Sequence, residues 1–167
     1  MAKSCQKIPK KAKLWIYFIY SVSGGRSQGH SIMYRNSIFE LNDSGYVNLG
    51  PHDKWGQRSV EYALLTHKST GKQIDHFNTH FCVCTDTISD CCGQEGQYQS
   101  AKEVQAAMEL YRRPGSQMIL TGDLNVFDGF EYSKAIRYLK GDLDGVNTPF
   151  PLEDTFRTGM IDIWFCL

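Results

Sequence analysis

The sequence lacks any run of the roughly 20 consecutive apolar residues that a membrane-spanning helix requires. It also lacks internal repeats and long low-complexity linkers, which disfavours a repeat array or a largely disordered chain. Its 18 basic residues balance its 18 acidic ones, whereas a protein held to nucleic acid mainly by charge is usually much more basic. The sequence therefore disfavours a passive nucleic-acid coat, but it allows an enzyme that engages a few phosphates locally.

The composition is that of an ordinary globular protein. The chain has 167 residues, which suits one domain, and 41% of them are hydrophobic and 22% charged. This apolar content suffices for a core that needs neither metals nor disulfides. We expect residues 24–167 to form the domain and residues 1–23 to be either a leader or a divergent N-terminal strand.

The N-terminus resembles a weak signal peptide, because lysines precede the apolar run LWIYFIYSV and small residues follow it. Lys7, Lys10, Lys11 and Lys13 are among these lysines. The alternative is a hydrophobic strand that follows a basic leader. A secreted and a cytoplasmic location therefore both stay open.

Four of the six cysteines cluster in the stretch FCVCTDTISDCC, as Cys82, Cys84, Cys91 and Cys92. They are compatible with a loop clamped by disulfides in an oxidising compartment or with reduced thiols. A zinc site is disfavoured because the usual C-x2-C spacing is missing.

Alternating apolar residues and turn residues predict several strands in the first half of the chain. The predicted strands are 14–22, 31–36, 60–67 and 74–81. The short STGK turn at 69–72 should pair the last two strands antiparallel. The stretch NDSG at 42–45 predicts another turn.

The second half alternates helices with strands. Apolar residues at helical spacing predict a helix at 97–113, ended by Pro114 and Gly115, and a short helix at 130–140. Apolar runs predict strands at 117–125 and 160–167. Strands mixed with helices in this order indicate a layered α+β or α/β domain.

The segment ILTGDLN places Asp123 and Asn125 at the carboxyl end of a buried strand, where open sheets usually build their sites. In extended backbone, residues two apart point the same way. A carboxylate beside an amide can hold a metal, orient water or bind a phosphate oxygen. The alternative is an Asx turn that caps the strand.

Two further segments carry candidate side chains. His80 ends the strand FNTHF, where its imidazole can donate to a phosphate oxygen. An isolated strand histidine is nevertheless more often structural. Asp162 lies inside the apolar strand MIDIWF, and a carboxylate there is costly to bury unless it is paired, hydrogen-bonded or bound to metal.

The order and spacing of these segments resemble the endonuclease/exonuclease/phosphatase superfamily, which includes deoxyribonuclease I, apurinic endonucleases, sphingomyelinases and deadenylases. The shared elements are strands ending in N-T-H and in G-D-x-N, the two helices, and a strand containing I-D, from about Gly25 to Trp164. GRSQG, SIMYRNSIFELNDSG and WGQRSVEYALLTHKSTGK lie within this region. The resemblance implies an α+β fold, namely a partial four-layer sandwich in which helices flank two mixed sheets.

The resemblance implies a role for each matching residue. His80 would stabilise charge on the phosphate, Asp123 would orient or activate the attacking water, and Asn125 would hold the phosphate or a metal. Asp162 resembles the buried carboxylate that supports the site. Arg58 resembles an arginine on the substrate side, although an ion pair on the surface is an equally good explanation for it.

The implied chemistry is in-line attack of water on a phosphoester, with a metal ion offsetting the charge. Asp123 and Asn125 would hold that ion. Their oxygen ligands suit Mg²⁺ or Mn²⁺ better than zinc. The substrate class stays open among nucleic acid, a phospholipid headgroup and a small phosphate ester.

The sequence also departs from the family pattern at both ends. No Q-E pair precedes GGRSQG, and no S-D-H segment follows the I-D strand before Leu167. We therefore expect a domain cut short at both ends, whose phosphodiesterase or phosphatase activity is impaired, since losing one member of a catalytic set costs orders of magnitude in rate. One alternative is a non-catalytic module that binds a phosphate ligand, and another is a secreted, disulfide-stabilised protein that interacts with other proteins.

Overall fold

A computed structural model describes residues 16–20, 31–53, 56–82, 93–126 and 133–152 of the chain, with backbone alone for residues 16–20 and 53. These ranges contain the following strands and helices. They are β1 (Ile16–Tyr20), β2 (Ser31–Arg35), β3 (Phe39–Asp53), β4 (Gly56–His67), β5 (Gln73–His80), α1 (Gln94–Tyr111), β6 (Gln117–Asp123) and α2 (Lys134–Lys140). No helix among the described residues is long and apolar enough to cross a membrane.

The described strands form two sheets. β1 and β2 make an antiparallel pair, and the other four strands form a mixed sheet in the order β3-β4-β5-β6. β5 and β6 run parallel, and α1 lies between them in the sequence, as a crossover between parallel strands requires. The predicted α+β class is confirmed, and so is the antiparallel pairing of the two strands that flank the STGK turn.

The mixed sheet carries a core on each face, because side chains alternate between the faces along every strand. One core packs against α1 and α2, and the other packs against β2. The first core includes Val60, Tyr62, Leu64, Phe77, Ala101, Val104, Ala107 and Met108. The second core includes Ile32, Ala63 and Leu65. The described residues thus stack a two-stranded sheet, a four-stranded sheet and a helical layer.

The helix predicted at 97–113 is confirmed, with its ends at Gln94 and Tyr111. The apolar positions that predicted it are buried in the first core. The chain turns at Gly115, which has a positive φ of 79°. The short helix predicted at 130–140 appears as α2, and the strand predicted at 160–167 lies outside the described residues.

The turn predicted at 42–45 is wrong, because β3 runs through this stretch without a break. Its register against β4 shifts between Leu41 and Asp43, so a β-bulge accommodates an extra residue within the strand at the predicted turn. Asn42 accepts a hydrogen bond from Thr66 Oγ1 at 2.6 Å. A Cβ on Gly45 would lie 2.8 Å from the Tyr62 hydroxyl. Cross-strand packing, and not a turn, explains this polar and glycine-containing sequence.

Asp75 of β5 and Arg113 after α1 form an ion pair that joins the helix to the sheet. Asp75 is fully buried, and its Oδ1 lies 2.6 Å from Arg113 Nη2. The other carboxylate oxygen accepts from the Arg113 backbone N–H at 2.7 Å and from the Ser116 hydroxyl. The same guanidinium donates to the Leu65 carbonyl at 2.8 Å. The pair therefore fixes the end of α1 against β4 and β5.

We expect Asp75→Asn to lower the free energy of unfolding by about 3 kcal/mol, because it leaves the partly buried guanidinium of Arg113 without its counter-charge. Urea denaturation followed by far-UV circular dichroism measures this change. Asp144→Asn is the control, since it removes an ion pair with Arg137 whose acidic side chain is 99% exposed. Equal stability of the two variants would contradict the structural role of the Asp75–Arg113 pair.

Candidate functional site

The parallel strands β5 and β6 carry matched polar side chains on one face of the mixed sheet. The register pairs Asn78 with Thr121 and, two residues further along each strand, His80 with Asp123. This face lies opposite Phe77, which belongs to the core under the helices. The parallel pairing therefore delivers a histidine and a carboxylate to the same edge of the sheet, at the carboxyl ends of both strands.

His80 and Asp123 lie side by side at this edge. The distance from His80 Nε2 to Asp123 Oδ2 is 3.8 Å, and the side chains are 22% and 50% exposed, respectively. This separation is longer than a direct hydrogen bond. The two side chains are close enough to act on one ligand atom, and both are reachable from solvent.

Asn125 follows β6 in a tight turn with a positive φ of 49°. Its backbone N–H donates to Asp123 Oδ1 at 2.9 Å, which makes the Asx turn that sequence reasoning kept as an alternative. The extended backbone predicted for this pair is wrong, because the strand ends at Asp123. The turn holds one oxygen of Asp123 and leaves Oδ2 on the side of His80.

The side chain of Asn125 is nearly buried and binds the segment that follows β5. Its Nδ2 donates to the Phe81 carbonyl at 2.7 Å. Gln97 of α1 donates to the Asn125 carbonyl at 2.9 Å and to the Cys82 carbonyl at 3.3 Å. The start of α1 thus holds both loop segments together. Sequence reasoning missed Gln97, because nothing in its spacing distinguishes it from a polar residue on a helix surface.

Gly122 allows the close approach of β6 to β5 beneath His80 and Asp123. Its φ is +145°, and a Cβ there would lie 1.9 Å from the Thr79 carbonyl oxygen. Thr79 in turn donates from its hydroxyl to the Ser59 carbonyl of β4 at 2.8 Å. The glycine of the G-D-x-N motif is therefore a steric requirement of the strand pairing.

A second histidine lies deeper on the same face. His76 Nε2 lies 2.9 Å from Thr121 Oγ1, and that hydroxyl also lies 2.9 Å from Asn78 Oδ1. Burial lowers the pKa of His76 from its ordinary 6.5 to about 4. His76 is therefore neutral at physiological pH, whereas His80 lies nearer the solvent.

Arg58 lies near the start of β4 and is only 1% exposed. The surface ion pair considered for it is therefore wrong. Strand alternation places Arg58 on the face of Val60, which packs under the helices, and thus opposite the face of His80 and Asp123. The substrate contact of Arg58 stays a prediction that this placement does not support.

Two other predicted features fall wholly or partly outside the described residues. Asp162 lies outside them, so its role in the site stays a prediction. Of the clustered cysteines, Cys82 is described, and it is a buried thiol. Cys84, Cys91 and Cys92 lie outside the described ranges.

The predicted metal ligands fit Mg²⁺ in chemical type. Asp123 offers a half-exposed carboxylate and Asn125 an amide oxygen, and Mg²⁺ is often held by one or two carboxylates together with waters and substrate phosphates. Within the described ranges, no group of three or more His, Cys, Asp or Glu side chains is arranged to hold a metal ion. The identity of the ion stays a prediction.

The described fold is similar to those of several solved structures. A mannosyl-6-phosphatase from Bacteroides thetaiotaomicron is 27% identical, with a TM-score of 0.54 over 72% of this chain. An endonuclease/exonuclease/phosphatase from Bacteroides vulgatus is 25% identical, with a TM-score of 0.53 over 73%. D. rerio TDP2, solved with a single-strand DNA product, is 18% identical, with a TM-score of 0.55 over 72%. This chain has the endonuclease/exonuclease/phosphatase fold.

The similarity to these solved structures confirms the resemblance to the endonuclease/exonuclease/phosphatase superfamily and the α+β fold class, both of which were predicted from the sequence. The chain spans less than half the length of these three proteins, namely 47%, 48% and 42%. No family model matches the sequence, and no curated protein matches it. The shared endonuclease/exonuclease/phosphatase fold does not by itself assign a substrate.

We expect Gly122→Ala to lower the free energy of unfolding by more than about 3 kcal/mol, because its Cβ collides with the backbone of β5. Gly115→Ala is the matched control. It also replaces a glycine of positive φ, but nothing lies within 4 Å of its Cβ, so it should cost only about 1 kcal/mol. Urea denaturation compares the two, and equal losses would contradict the close approach at Gly122.

The partly buried His76 should make the fold sensitive to mild acid. The pKa of His76 in the folded chain, about 4, lies below its ordinary value of 6.5. Above pH 6.5 the imidazole is neutral in both the folded and the unfolded chain, so protonation of His76 costs the folded state no stability. The free energy of unfolding decreases as the pH falls below 6.5, because the imidazole binds a proton in the unfolded chain but stays neutral in the folded chain. Between pH 8 and pH 5 this loss should reach about 2 kcal/mol.

His76→Gln should abolish that part of the pH dependence. Urea denaturation of both proteins at pH 8 and pH 5 isolates it, because every other ionisable side chain is common to both. A wild-type protein and a His76→Gln variant that lose equal stability between these pH values would contradict the placement of His76.

Proposed function

We propose that this chain carries a metal-dependent phosphoester hydrolase site at the carboxyl ends of β5 and β6. The observation that carries the proposal is the pairing of His80 with Asp123 across parallel strands, with 3.8 Å between Nε2 and Oδ2. Asn125 follows in the adjoining turn. The phosphatases and the DNA-bound TDP2 that share this fold support the same class of reaction.

Each side chain of this site suits one task in phosphoester hydrolysis. His80 donates a hydrogen bond or a proton to a phosphate oxygen, where negative charge increases in the transition state. Asp123 orients the attacking water and accepts its proton. Asn125 Nδ2 donates one hydrogen to the Phe81 carbonyl, so Oδ1 would hold a metal ion and the second Nδ2 hydrogen would donate to a phosphate oxygen. A supporting role for Asp162, which lies outside the described residues, stays a prediction from the sequence.

A divalent metal ion belongs to this proposal. Asp123 and Asn125 would hold Mg²⁺ or Mn²⁺, which offsets the charge of the phosphate. The remaining ligands would be waters and phosphate oxygens, as is usual for Mg²⁺. Because these two residues supply one carboxylate between them, we expect the ion to bind weakly without a phosphate ligand and the rate of hydrolysis to be low.

Small phosphate esters and nucleic-acid phosphates are the substrate classes that the comparisons suggest. One similar structure is a mannosyl-6-phosphatase, and another is bound to single-strand DNA. The chain has no net charge, which favours a small ester over a long nucleic acid bound by charge alone. A phospholipid headgroup offers the same phosphoester chemistry.

Hydrolysis of 4-nitrophenyl phosphate and bis(4-nitrophenyl) phosphate in Mg²⁺ tests the proposal. We expect slow, metal-dependent release of nitrophenol, and His80→Ala and Asp123→Asn should each lower kcat/KM by about 100-fold or more. His67→Ala is the control, because His67 ends β4 beside the hairpin turn, at the opposite end of β5 from His80, and contacts Ser69 and Thr70.

The alternative is a non-catalytic module that binds a phosphorylated ligand at the same edge of the sheet. Binding of inorganic phosphate without metal, lost in His80→Ala and accompanied by no hydrolysis, would favour this module. Absence of both hydrolysis and phosphate binding would overturn the phosphate site altogether.

A further inference from the structure

Three side chains form a hydrogen-bond chain directly beneath the proposed catalytic pair. His76 Nε2 lies 2.9 Å from Thr121 Oγ1, and Thr121 Oγ1 lies 2.9 Å from Asn78 Oδ1. His76 and Asn78 belong to β5, whereas Thr121 belongs to β6. We call these three residues the Thr121 relay. The relay joins the two strands through side chains, in addition to their backbone hydrogen bonds.

The hydrogens of this relay have a defined direction. Amide and carbonyl oxygens only accept, so the Thr121 hydroxyl donates its single proton to Asn78 Oδ1 at 2.9 Å, with the Phe77 carbonyl at 3.4 Å as a second acceptor. His76 must then donate to Thr121 through Nε2–H, which fixes its tautomer. The neutral imidazole that burial favours still carries this proton. The rotamer of Thr121 is therefore held from both sides.

On each strand, the Asn78–Thr121 pair of the Thr121 relay precedes the catalytic pair by two residues and lies on the same face of the sheet. Thr121 pairs with Asn78 in the register, and Asp123 and His80 follow two residues later on the same strands. Residues two apart on a strand are about 6.6 Å apart and point to the same face. Any slip or rotation of β6 against β5 at Thr121 thus changes the distance from His80 to Asp123.

The pairing of β6 with β5 is parallel, whereas the other pairings among the described strands are antiparallel. Parallel ladders are slightly less stable per residue than antiparallel ones. Gly122, between Thr121 and Asp123, has no side chain that could add a contact to β5. The Thr121 relay is the nearest side-chain link between the strands below the site.

We propose that Thr121, held by His76 and Asn78, is a positioning residue that sets the placement of Asp123 relative to His80. Thr121 itself contacts neither substrate nor metal. The proposal deepens the proposed function and rests on it, since the pair that Thr121 positions is the proposed catalytic pair. Displacement of a reacting group by about 1 Å can cost 100-fold in rate.

Thr121→Val is the test variant, because it keeps the shape and the β-branching and removes the hydroxyl. Thr121→Ser is its control, because it keeps the hydroxyl. With bis(4-nitrophenyl) phosphate and Mg²⁺, we expect Thr121→Val to lower kcat by about 10- to 100-fold while KM changes less than about twofold. Thr121→Ser should restore kcat to within about threefold of the wild-type value.

The ¹⁵N chemical shifts of the His80 imidazole give a second readout that does not depend on turnover. Thr121→Val should move these shifts, and Thr121→Ser should leave them in place. Wild-type shifts and wild-type kcat in Thr121→Val would overturn the proposal. If the wild-type protein shows no hydrolysis but Thr121→Val alone moves the His80 shifts, the positioning role stands and the proposed function fails.

His76→Leu provides an independent variant in case Thr121→Val does not fold. It removes the donor at the far end of the relay and leaves Thr121 in place. We expect the His80 shifts to move in this variant too, with kcat reduced by a smaller factor. Wild-type values of both quantities would again overturn the proposal.

Discussion

At Gly122 the backbone of β6 approaches β5 so closely that a Cβ would lie 1.9 Å from the Thr79 carbonyl oxygen. The candidate site depends on this close parallel pairing, because it is what puts His80 opposite Asp123. The contacts around it reinforce the same alignment. The Asx turn at Asn125 and the bond from its amide to the Phe81 carbonyl fix the loops above the strands.

Much of the fold could be predicted from the sequence, because its strands and helices follow local patterns. The STGK turn predicted the β4–β5 hairpin, and apolar residues at helical spacing predicted α1. The turn predicted at 42–45 was wrong, because the Asn and Gly of this stretch make contacts between β3 and β4 that no local sequence pattern encodes. The role of Arg113 was equally hidden, since its partner Asp75 lies 38 residues earlier.

The candidate site was predictable in part. The motifs N-T-H and G-D-x-N identified His80, Asp123 and Asn125, but only the parallel register shows that the first two lie side by side. The extended backbone expected at Asn125 failed because a positive φ and an Asx turn end the strand there. Thr121 gave no sequence signal, because a strand threonine is common and its partners lie on another strand.

The central claim is that His80 and Asp123 act together on one phosphate group. A crystal structure of the protein grown with Mg²⁺ and orthovanadate tests it most directly. The account predicts a vanadate oxygen within hydrogen-bond distance of His80 Nε2 and a metal ion bound to a carboxylate oxygen of Asp123. Vanadate bound elsewhere on the protein, with His80 and Asp123 making no contact to it, would contradict the account.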